Sequence, residues 1–137
     1  MALFDVFNIA STAMSAQSVR LNVTASNLAN VDSVGANAEQ TYRARQPVFE
    51  TMMGALNNDT GSAGVRVSDI LESQAPLRQQ YQPEHPHANE EGYVYLPNVD
   101  PIEEMANMIS ASRSYQNNVE IINTSKEMLL RTLSLGQ

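Results

Sequence analysis

The only two histidines, His85 and His87, form an H-x-H pair beside Glu84, Glu90 and Glu91. On a strand such a pair shares one face and can hold a metal ion. Here Pro83 and Pro86 break the segment into a polar loop, and no third histidine exists to complete a ligand set. Solvated loop side chains are the expectation, with no metal and no other cofactor. There is no cysteine, which excludes disulfides, thiolate zinc sites and cysteine nucleophiles. Serines are plentiful, but no G-x-S-x-G elbow occurs and only the two loop histidines can serve a serine as base. Gly54, Gly61 and Gly64 lack the Lys-Ser or Lys-Thr that follows a phosphate loop. Glu103 and Glu104 are adjacent carboxylates, yet in the first turn of a helix they complement its dipole. The residues give no support to an enzyme.

The frame that positions these groups is set by composition. The chain has 137 residues, with 15 Asp+Glu against 8 Lys+Arg for a net charge of −7. That balance argues against sequence-independent nucleic-acid binding, which needs a basic patch. Apolar residues reach 42%, but 15 of them are Ala and 7 are Met, and there is no Trp. Asn and Gln together number 22. Such a chain buries only a modest core. The longest uncharged stretch, Val6 to Val19, has 14 residues and several polar ones, too short for a membrane span of roughly 18–20. The start MALFDVFNIAS has no basic region and is interrupted by Asp5, so no cleavable secretory signal is expected.

Residues 1–31 contain neither Pro nor Gly. Steps of four and three give the row Leu3, Phe7, Ala10, Met14, Gln17, Leu21, Thr24, Leu28, Val31, apolar at seven of nine positions. A second row, Val6, Ile9, Ala13, Ala16, Arg20, Val23, is apolar at five of six. A helix apolar on two sides is buried among several neighbours. At the other end, Asp100 is an N-cap, Pro101 suits the first helical position, and Glu103 stands where a capping box places its acid. From there no Pro or Gly interrupts the chain before Gly136, a plausible terminator. The row Met105, Met108, Ser112, Tyr115, Val119, Ile122, Lys126, Leu129, Leu133 is apolar at seven of nine positions. The expected fold is mainly α: long N- and C-terminal helices packed as a coiled-coil pair, with a small β-hairpin or extended segment inserted between them. Five of the six prolines and five of the six glycines lie between Val34 and Val99. Asn57–Gly64 is turn chemistry, and Val65-Arg66-Val67 and Tyr93-Val94-Tyr95-Leu96 read as strands.

Polar residues interrupt both seams. Asn27 and Asn30 flank Leu28 near the end of the first helix, and Tyr115-Gln116-Asn117-Asn118 falls mid-way along the last. Polar groups inside a seam cost stability and fix register and partner number. Both ends therefore look specified for one assembly.

At these residues the sequence resembles a family. Leu21-Asn22-Val23-Thr24-Ala25-Ser26-Asn27-Leu28-Ala29-Asn30 is similar to the N-terminal signature of the axial proteins of the bacterial flagellar rod and hook. Tyr42-Arg43-Ala44, Glu72-Ser73-Gln74-Ala75-Pro76, Gly92-Tyr93-Val94 and Pro97-Asn98-Val99-Asp100 resemble the proximal-rod branch. So do Ser110-Ala111-Ser112-Arg113-Ser114-Tyr115-Gln116 and Leu133-Ser134-Leu135-Gly136-Gln137, with Asn117 where the family usually has Ala. The resemblance implies a structural subunit of the basal-body rod, the drive shaft that crosses the periplasm and transmits torque. It implies export, without a cleaved signal, through the flagellar type III apparatus, then helical polymerisation with copies of itself and other rod proteins. Residues 1–33 and 100–137 would be the helices of the rod core domain, and 34–99 the irregular or β-rich middle. The assembly interface would take Leu21, Asn27, Leu28, Asn30, Met105, Met108, Tyr115, Gln116, Asn118, Val119, Ile122, Leu129 and Leu133. The competing class is a soluble helical binding module such as an export chaperone, which explains the acidity and the methionines but not the inserted middle.

Overall fold

The computed structural model describes residues 3–53 and 63–135. The turn-rich run 57–62, Gly54 and the terminator Gly136 lie outside the described residues, as does the side chain of the seam residue Leu3. Two long helices, α1 (Leu3–Ala29) and α2 (Pro101–Leu135), enclose four strands: β1 (Arg45–Met53), β2 (Ala63–Glu72), β3 (Arg78–Tyr81) and β4 (Tyr93–Leu96). The 35 residues of α2 make a rod about 52 Å long at 1.5 Å per residue. Its start follows the sequence: Asp100 Oδ1 accepts from the N–H of Ile102 at 2.9 Å and of Glu103 at 3.4 Å. The Glu103 carboxylate returns no bond to the cap, so the box is half-built.

The two helices run antiparallel, since Arg20 meets Asn107 while Asn27 lies near Glu104. The buried positions of α2 are Glu104, Ala111 and Ser125, spaced in sevens. Six of the nine row members expected from sequence, Met108, Ser112, Tyr115, Val119, Ile122 and Leu129, are half-buried beside them. At two others the burial shifts by one residue: Met105, 50% exposed, and Lys126 give way to Glu104 and Ser125, while Leu133 is 67% exposed near the helix end. Apolarity favoured Met105 over Glu104, but close helix approach selects small or hydrogen-bonded side chains. On α1 both rows hold buried residues, Ala10 and Thr24 on the first and Ala16 and Val23 on the second. The two-sided apolarity of α1 has an internal cause, because among the described elements α1 packs against α2, β2 and β1, whereas α2 packs against α1 alone.

The middle is more strand-rich than a single hairpin. β1 and β2 form an antiparallel ribbon, Arg45 opposite Glu72 and Met53 opposite Ala63. The register shifts after Val48, leaving Ser68 as the extra residue of a bulge whose hydroxyl donates to Val48 O at 3.3 Å. β1 escapes the sequence reading because Pro47 interrupts it. In a two-stranded ribbon both strands are edges, and an edge tolerates the missing N–H. β3 pairs antiparallel with β4, and the other side of β4 exchanges two backbone bonds with Gly35, at 2.9 and 3.1 Å to Tyr95. A Cβ on Gly35 would run into the Thr41 hydroxyl, so this close approach requires glycine. Val94, with no exposed surface, and Val99 anchor this small core. The accessible surface is 9704 Å², against about 7,000 Å² for a compact protein of this mass. Much apolar surface stays uncovered.

Candidate functional site

Four of the segments that carried the family resemblance, 21–30, 42–44, 72–76 and 97–100, meet at one corner, where α1 ends, β1 begins and α2 begins. Asn27 is its hub, 1% exposed. Its Nδ2 donates to Arg45 O at 2.8 Å, and its Oδ1 accepts from Arg45 N at 2.9 Å and from the Tyr42 hydroxyl at 2.8 Å. The amide thus imitates a strand partner for the first residue of β1. Ser26 Oγ shares a hydrogen bond with the same hydroxyl at 3.2 Å. Arg45 lies over the Tyr42 ring, 5.5 Å from its centroid, and pairs with Glu72 at 3.3 Å.

A second layer ties in the remaining motifs. Ala44 N donates to Asn98 Oδ1 at 2.8 Å, and Asn98 Nδ2 donates to Ala75 O at 2.9 Å and Ser73 O at 3.3 Å. Arg43 Nη1 donates to the same two carbonyls, and Ser73 N donates to Ala44 O at 2.8 Å. Tyr42-Arg43-Ala44, Ser73–Ala75 and Asn98 are thus stitched to the Asn27 hub through Ala44 and Arg45.

Glu104 closes the corner from α2. It is 7% exposed, within hydrogen-bond reach of Asn27 and Thr24. It stands in the first turn of α2, where a carboxylate complements the helix dipole, and it is buried between the helices. Burial pushes it above the ordinary carboxylate range, the nearby Glu103 adds to this, and Asn27, Thr24 and Arg20 pull the other way. Arg20 Nη2 donates to Asn107 Oδ1 at 3.0 Å, a second polar tie across the helix pair.

Of the residues expected to form an interface, only Asn27 is fully buried within the chain. Asn30 donates to Ser26 O and Asn118 to Ser114 O, both at 2.8 Å and within their own helices. Leu21, Leu28, Met108, Tyr115, Val119, Ile122 and Leu129 are half-buried, while Met105, Gln116 and Leu133 point outward. Sequence reasoning missed Tyr42, Arg45, Asn98 and Glu104 as members of the corner. Tyr42 and Asn98 had one signal, membership of Tyr42-Arg43-Ala44 and Pro97-Asn98-Val99-Asp100, and Arg45 stands just after the first of these.

Among the described residues no group of three or more His, Asp or Glu is arranged to hold a metal. His85 Nδ1 accepts from His87 N at 3.1 Å, so one ring nitrogen of the pair is occupied by a turn. Replacing both histidines with Ala is expected to leave stability within about 0.5 kcal/mol and motility unchanged, measured by thermal melting and swimming. A paralysed double variant would restore a role for the loop. A cleft of about 740 Å³ opens beside the corner, lined by Gly35, Thr41, Tyr42, Arg43, Arg45 and Glu72 among others, and its arginines are engaged as described above. No described helix is long and apolar enough to cross a membrane.

Known proteins are similar to this chain in sequence. A family model described as flagella basal body rod protein matches residues 7–37, and one described as the C-terminal part of flagellar basal body rod FlgEFG proteins matches 90–135. Those matches cover α2 and most of α1 and point to the class: a structural subunit of the bacterial flagellar rod. The flagellar basal-body rod protein FlgC of Escherichia coli O157:H7 is 55% identical over the full length of both chains. FlgC of Salmonella typhimurium is 54% and that of Bacillus subtilis 38% identical, again over the whole of each chain. The chain belongs to the FlgC family of flagellar basal-body rod proteins.

Proposed function

We propose that this rod subunit polymerises helically through its terminal helices, with residues 1–33 and 100–137 as its core domain and 34–99 as a segment attached to it. The observation that carries this reading is the outward face of α2. Ile102, Met105, Ile109, Ile121, Met128 and Leu133 are all exposed, and among the described elements only α1 packs against that helix. So many uncovered large apolar side chains along one helix mark it as an interaction site. The spacing of buried residues in sevens supports coiled-coil pairing of α1 with α2 once neighbours complete the bundle. The neighbours are copies of this chain and other rod proteins. The chain reaches the periplasmic rod through the type III export apparatus, without a cleaved signal, and transmits torque by close packing, with no bond made or broken at any residue.

The test is the composition of basal bodies purified from a strain whose native subunit is replaced by this chain carrying a small tag. The tag is expected in the rod fraction at several copies per particle. A chain found only in the soluble cytosol, bound to another flagellar protein, would favour the chaperone reading.

A further inference from the structure

We propose that Glu104 is a proton-operated latch between α1 and α2: protonated, it keeps the two helices closed, and ionised, it loosens them. The carboxyl is buried at the helix crossing, yet the ion pairs among the described residues are Arg45–Glu72 and Arg66–Glu50. Glu104 has none. The groups around it offset the cost of burying the charge only in part. From α1, Thr24 and Asn27 offer neutral hydrogen-bonding groups, and Arg20 directs Nη2 to Asn107 instead. From α2, Glu103 is a like charge, and the Asp100 carboxylate is turned to the helix N–H groups it caps. From β1, Arg45 borders the same cleft, but its guanidinium is held by Glu72 and the Tyr42 ring.

The direction follows from linkage. Burial, the largest influence, raises the folded carboxyl above its ordinary value of 4.5. Between that value and the raised one, the folded chain keeps a proton that the unfolded chain has released. Stability from this group is therefore complete in acid and lost as pH rises, by at most about tenfold in the opening equilibrium per pH unit. Because Glu104 touches Asn27, opening here also frees the start of β1. The latch rests on the geometry of one chain and holds whether or not that chain is in a rod.

The experiment is amide hydrogen exchange of the purified full chain from about pH 4.5 to about 7.5, corrected for intrinsic rates, beside Glu104→Gln. Glutamine keeps the shape, has one acceptor oxygen and a donor as the protonated acid does, and cannot titrate. The two proteins are expected to agree at the acid end. As pH rises, protection of the first half of α2 should fall in the wild type relative to the variant, approaching that tenfold slope. Parallel profiles would overturn the latch. So would a variant less protected at every pH, since the ionised form would then be the one that closes the helices. Arg20→Gln removes the facing cation and is expected to move the transition to higher pH; an unmoved transition would assign the titration to another group and end the proposal.

Discussion

Asn27→Leu is expected to cost about 3–6 kcal/mol of folding stability. The substitution keeps the volume but strands the N–H and carbonyl of Arg45 and removes one acceptor from the Tyr42 hydroxyl, all previously bonded to this amide. These bonds are part-buried, and each group left without a partner costs about 1–3 kcal/mol. Against a total stability of about 5–15 kcal/mol, such a loss unfolds a large fraction of the chain. Asn30→Ala is the control. That side chain makes one bond to its own helix from a half-exposed position and should cost no more than about 1 kcal/mol. Denaturant melts of both variants decide the matter. Equal midpoints would mean that the corner does not hold the fold.

The contrast between these two asparagines also marks what the sequence made legible. Element type and position were readable where local signals agree: Asp100-Pro101 at the start of α2, the unbroken helical stretch to residue 29, the alternation at 93–96. The helix rows were readable only to within one residue. Hydropathy ranks Met105 above Glu104, while the crossing distance and the Asn27 amide choose Glu104. The corner itself was legible only as a family pattern. Tyr42, Arg45 and Asn98 act through bonds spanning from 15 to 54 positions of sequence. No periodicity encodes partners so distant. β1 was hidden for a different reason, since Pro47 argues against a strand until its neighbour is known to be a single ribbon partner.

The outward face of α2 gives the sharpest separation of folding from assembly. Ile109 is 55% exposed, beside a shallow groove formed by Ala106, Ser110 and Ser114. Ile109→Asp therefore removes little that the isolated chain buries, and its melting free energy should stay within about 0.5 kcal/mol of the wild type. In a rod built on this face, the same aspartate would be buried against a neighbour without a partner charge, which costs several kcal/mol. A polymer repeats that cost at every subunit. The expected outcome is a normally folded, normally exported chain that fails to enter basal bodies, in a strain that does not swim. Ile122→Asp, on the half-buried row of the helix pair, should instead lower the melting point of the purified chain by several kcal/mol equivalent before assembly is reached. The two variants thus fail at different steps, one in the folded monomer and one in the polymer. A motile Ile109→Asp strain with wild-type basal bodies would show that this face meets solvent in the rod, and the contacts would then have to come from the β1–β2 ribbon, where Val48, Phe49, Ile70 and Leu71 are also exposed.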